Sequence, residues 1–121
     1  ILTTFVVNIK KMSQKALGEF EEIVILIVAI LNGDAYSVGI ITEIEERLNR
    51  NVSLGAIQTV LKRLKKKGVL KSEFGDATNE RGGKRKRLYE VTAAGQKILD
   101  QTRVQRNSLW EAIPRLSFNL H

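Results

Sequence analysis

Lys62, Arg63 and Lys66 recur at helical spacing, and at 100° per residue they share one face with Gly55, Ala56 and Thr59, with Gln58 at its edge. Small residues let a backbone approach a surface closely. Lysine and arginine reach phosphates, and a glutamine amide can bond a base edge or a phosphate. A second basic run, Arg81 with Lys84-Arg85-Lys86-Arg87, follows after a polar, turn-rich stretch. The chemistry these groups offer is recognition of a polyanion, not the making or breaking of bonds.

Other chemistry is poorly provided for. The 121 residues hold no cysteine and one histidine, His121. Disulfides, thiolate nucleophiles, cysteine-based zinc sites and iron–sulfur clusters are therefore excluded, and no interior imidazole exists for a triad or a histidine-ligated metal. No paired acid/base set or phosphate-cradling motif stands out, so no catalytic residue, metal site or cofactor is expected and the chain does not read as an enzyme. The net charge is +7. Between Ser53 and Val91 there are eleven basic and four acidic residues, while the rest of the chain has nine of each. The whole positive excess thus lies in one segment, which favours a nucleic-acid partner over a merely solubilising face.

The elements that must hold this charge follow from periodicity. Leu17, Phe20, Ile23, Val24, Ile27 and Leu31 recur at spacings of three and four, and the run Ile23–Leu31 makes this first helix apolar nearly all round. Asn32-Gly33-Asp34 is a stop and turn. A second helix carries Tyr36, Ile40, Ile44 and Leu48 inward and ends near Asn49–Asn51. Ser53 is an N-cap for a third helix running to Lys67, with Gly68 as its stop and Leu54, Ile57, Leu61 and Leu64 as its inner stripe. Val69–Phe74 and Lys84–Val91 read as the arms of a hairpin. Thr92 caps a long final helix that Pro114 ends. Its apolar residues Ile98, Leu99, Leu109, Trp110 and Ile113 are split by the polar stretch Asp100–Ser108, apart from Val104. Such a helix suits pairing with a second subunit.

Three helices followed by a basic hairpin is the order of a winged helix-turn-helix. The expected fold is α+β and mainly helical, with a two-stranded wing and a C-terminal dimerisation helix. The expected divisions are an N-terminal extension or arm (1–16), a winged-helix domain (17–91), the dimerisation helix (92–114) and a tail (115–121). The opening ILTTFVVNIKK is apolar first and basic last, the reverse of a secretory signal, and the longest apolar run, nine residues, is far short of the roughly 20 that span a bilayer. A cytoplasmic protein without a membrane partner is expected.

Four segments together resemble the PadR family of transcriptional regulators, over roughly residues 17–113. They are Leu17-Gly18-Glu19-Phe20-Glu21; Ala35-Tyr36-Ser37-Val38-Gly39-Ile40, which matches the family pattern AYGYEI at Ala35, Tyr36 and Ile40; Ser53–Ile57 through Leu61–Gly68; and Gly82–Gly95. Where the family has Tyr then Pro in the recognition helix, this chain has Gln58 and Thr59, and Ser37 replaces the usual Gly. The family's Tyr is associated with DNA contact, so the resemblance implies an altered sequence preference here.

The resemblance implies a homodimeric repressor that binds inverted-repeat operators in double-stranded DNA and is released by a small aromatic or drug-like effector. The single final helix is similar to that of the short members, in some of which a Trp of that helix stacks on flat ligands between the subunits. The DNA-contact candidates are Ser53, Gly55, Gln58, Thr59, Lys62, Arg63 and Lys66 on the third helix, with Arg81, Lys84, Arg85 and Lys86 on the wing. Ile98, Leu99, Leu109, Trp110 and Ile113 are the dimer candidates, and Trp110 is also the effector candidate. A winged-helix adaptor that binds protein partners, or DNA without sequence preference and without a ligand, is the alternative.

Overall fold

The structure is a computed structural model that describes residues 17–75 and 86–115. Its elements, in chain order, are α1 (Glu19–Leu31), α2 (Ser37–Leu48), α3 (Leu54–Lys66), β1 (Leu70–Phe74), β2 (Arg87–Val91) and α4 (Ala93–Ala112). This is the expected winged helix-turn-helix. Arg81, Lys84 and Arg85, the arm and residues 116–121 lie outside the described residues.

The helix ends are set by local chemistry. The Ser53 Oγ accepts from the Ala56 N–H (3.1 Å), and the Thr92 Oγ1 accepts from the Gly95 N–H (3.0 Å), so both expected caps are formed. Gly68, at φ 80°, ends α3. Its N–H bonds to the Lys65 carbonyl and the Val69 N–H bonds to the Leu64 carbonyl, a Schellman motif. Asn32 (φ 31°) and Asn49 (φ 51°) take the left-handed conformation after α1 and α2.

β1 and β2 pair antiparallel with Leu70 opposite Val91 and Phe74 opposite Arg87. The sequence did not reveal an isolated bridge outside the hairpin: Ala35 pairs with Tyr89, whose N–H donates to the Ala35 carbonyl at 3.0 Å. This bond ties the α1–α2 turn to the wing. Gly95 brings the start of α4 against the sheet, since a Cβ there would run into the Val69 carbonyl oxygen and the Val91 side chain.

The core lies between α1, α2, α3 and the sheet. Val24, Ile25, Val28, Ile40, Ile44, Ile57, Leu61, Leu64, Leu70 and Val69 are fully buried. Two sequence expectations need correction. Leu54 is 47% exposed, while Val60 is buried. The buried residues of α3 are centred on Ile57, Val60, Leu61 and Leu64, so Leu54 falls at the edge of the stripe, in the first turn. Leu48, expected to face inward on α2, is 47% exposed at the end of that helix; Leu26 and Ile30 are also exposed, on the outer side of α1. Among the described residues, no helix is long and apolar enough to cross a membrane.

Candidate nucleic-acid interface

The stripe Ile57–Leu64 buries one side of α3 and leaves Ser53, Gly55, Gln58, Thr59, Lys62, Arg63 and Lys66 exposed, as expected. The exposed surface has two flanks with different surroundings.

On the flank toward α1, Glu21 is buried. Its carboxylate accepts from Lys67 Nζ (3.0 and 3.2 Å) and from the Gly18 N–H (2.9 Å), with Arg63 Nη1 at 3.9 Å. Burial pushes this carboxyl's pKa up, but the Gly18 N–H and the charges of Lys67 and Arg63 outweigh that and hold it below its ordinary value. The network anchors the C-terminal end of α3 to the first turn of α1. Nothing in the spacing of Arg63 and Glu21 signals this pairing, because 41 residues separate them.

The other flank faces α2 and the wing. Leu54, Gln58, Lys62 and Lys65 line a groove of about 740 Å³ together with Val38 of α2 and Lys86 and Arg87 of the wing. Asp34 is the one carboxylate among its described lining residues. Four cations from two separate elements therefore converge on one cleft. Arg87 is held in place: its guanidinium stacks over the Phe74 ring (4.7 Å) and Nη1 donates to Ser72 Oγ (3.2 Å). Lys65 and Arg87 were not among the sequence candidates. The signal was there, since Lys65 lies at helical spacing from Leu54, Gln58 and Lys62, but only the fold shows that this stripe faces the wing.

A second groove, of about 840 Å³, lies between α1 and α4. Leu26, Ala29, Leu99 and Trp110 line it with Glu22, Arg103 and Arg106. Arg106 bonds to Glu22 at 2.6 Å and ties the two helices together. Of the dimer candidates, Ile98 and Leu99 pack partly against the chain's own core, and Ile113 is half-buried. Leu109 and Trp110 are largely exposed, Trp110 at 67%. Among the described residues, no group of three or more histidine, cysteine or acidic side chains is placed to hold a metal.

Residues 25–101 match the model of the transcriptional regulator PadR-like family. The chain belongs to that family. Its members are regulators, not enzymes. No curated protein sequence matches the chain significantly. Among solved structures, a PadR family transcription regulator from Clostridium difficile R20291 is 26% identical, with 74% of this chain and 91% of that one covered and a TM-score of 0.58. A PadR-like transcription factor from Bacteroides fragilis is 26% identical over 86% of this chain and 93% of that one, with a TM-score of 0.63. Bacillus subtilis PadR, solved in complex with operator DNA, shares the fold at 17% identity and a TM-score of 0.58, over 71% of this chain and 47% of that one. The PadR-like assignment accounts for the three helices, the wing and the position of α4 after it.

Proposed function

We propose that this PadR-like chain is a homodimeric, sequence-specific DNA-binding repressor, with α3 in the major groove and the wing beside the backbone. The observation that carries this reading is the convergence of Lys62 and Lys65 with Lys86 and Arg87 on one groove, beside the exposed Gly55, Gln58 and Thr59 of α3's N-terminal half. The major groove, roughly 12 Å wide, admits a helix, and cations flanking it meet phosphates. The operator complex of Bacillus subtilis PadR supports the same partner.

The dimer is built through α4. Leu109, Trp110 and Val104 on α4 and Leu26 and Ile30 on α1 are exposed apolar side chains that a second subunit would cover. The groove between α1 and α4 is the proposed effector site for a flat, aromatic ligand stacking on Trp110. Half-sites lie about 34–36 Å apart, so a ligand that shifts α4 by a few ångströms breaks the match between recognition helices and DNA. Repression is then steric occupation of a promoter.

Two experiments test this. Binding to a fluorescent fragment of the chain's own promoter is compared with binding to random DNA at two salt concentrations. A specific repressor keeps an advantage of about 4–10 kcal/mol over random DNA. Equal binding to both that vanishes with salt would favour the adaptor reading. Trp110 fluorescence, followed on dilution, shifts to the red as dimers dissociate. A fully solvated spectrum at high concentration contradicts the interface.

A further inference from the structure

We infer that Leu54 and Gln58 form a reader for A·T base pairs, Gln58 bonding the adenine edge and Leu54 meeting the thymine methyl. This rests on the DNA-binding reading above and adds the base that α3 selects. The N-terminal residues of a recognition helix face base edges. Over Leu54–Leu61 this helix has no lysine or arginine, the side chains that pair bidentately with guanine; its cations begin at Lys62. The hydrogen-bonding groups there are few and mostly engaged. Thr59 Oγ1 donates to the Gly55 carbonyl (2.9 Å), and Ser53 Oγ caps the Ala56 N–H. Gln58 is exposed, lines the groove, and its amide has both the donor and the acceptor that adenine N7 and N6 require.

The apolar surface beside it has the same logic. Leu54 lies one turn before Gln58, and Val38, 64% exposed, lines the same groove from α2. Two exposed branched side chains inside a cationic groove offer a contact to an apolar group that arrives with phosphates. The thymine methyl is the apolar group of the major groove. The cations Lys62, Lys65, Lys86 and Arg87 around these residues favour a duplex over a protein as that partner.

The test begins with selection from a random duplex library by the wild-type protein. Its selected duplex is then remade with 7-deazaadenine, which lacks N7, or with uracil, which lacks the methyl. Binding is measured for wild type, Gln58→Ala and Leu54→Ala; both side chains are exposed, and circular dichroism confirms folding. The expected consensus contains A·T pairs in each half-site. At one of them, 7-deazaadenine weakens wild type roughly tenfold and leaves Gln58→Ala unchanged. Uracil there or next to it weakens wild type about fourfold and leaves Leu54→Ala unchanged. A consensus read only through G·C pairs, or losses equal in wild type and variants, overturns the reader while leaving the repressor reading intact. No duplex consensus at all overturns both.

Discussion

On one flank of α3, Arg63 and Lys67 turn toward the buried carboxylate of Glu21. On the other, Lys62 and Lys65 stand with Lys86 and Arg87 around a groove where Asp34 is the one carboxylate among the described lining residues. The two flanks carry the same residue types within six positions of one helix. What separates them is the counter-charge the fold supplies. A cation that already faces an internal carboxylate gains less from a phosphate than one that faces solvent. The α1 flank therefore holds α3 against α1, and the wing flank is the one proposed to bind DNA.

The largest effect expected from this contrast is on DNA affinity. Replacing both wing-flank cations, Lys62→Ala with Lys65→Ala, weakens duplex binding by about a hundredfold at low salt, as two phosphate contacts are lost. The melting temperature stays within a degree or two, because both side chains are exposed. Fluorescence anisotropy and thermal unfolding check the two halves of that statement.

A smaller effect, of opposite kind, is expected from Glu21→Gln. Gln keeps an acceptor for the Gly18 N–H but loses the charge that Lys67 and Arg63 face. Both cations are partly solvated, so the loss is modest, about 1 kcal/mol in urea unfolding at pH 7. The sign of the pH dependence follows from the carboxyl's lowered pKa. Its contribution is present above the ordinary value of 4.5 and is lost as pH falls through the lower folded value. The gap between wild type and Glu21→Gln therefore closes as pH drops below 4.5. A gap that persists at pH 2.5 would show that packing, not charge, sustains it.

Arg63→Ala is expected to do least, with DNA affinity changing less than about twofold. The sequence placed Arg63 with Lys62 and Lys66 on the binding face. A loss as large as that from Lys62→Ala would break the distinction between the flanks.

Much of the fold was legible because its signals are local. Ser53 and Thr92 cap helices through bonds three residues long, and Gly68 closes α3 because the left-handed turn there suits glycine. The PadR-like resemblance rested on such segments. The exposed face of α3 was legible too, since periodicity alone separates Lys62 and Lys66 from Ile57 and Leu61. What was not legible depends on partners distant in sequence. Glu21 claims Arg63 and Lys67 from the end of another helix, and Ala35 of the α1–α2 turn pairs with Tyr89 of β2. Leu54 shows the limit of periodicity at a helix end, where a residue within the apolar arc has too little of the core beside it to be buried.

The account turns on neighbouring cations of one helix having different roles. The direct test is the salt dependence of duplex binding for wild type, Lys62→Ala and Arg63→Ala. The slope of log affinity against log salt is predicted to fall in magnitude by about 0.9 for Lys62→Ala and to stay unchanged for Arg63→Ala. Equal reductions for both variants would contradict the assignment of Arg63 to Glu21 and return both flanks to a single, undivided DNA-binding face.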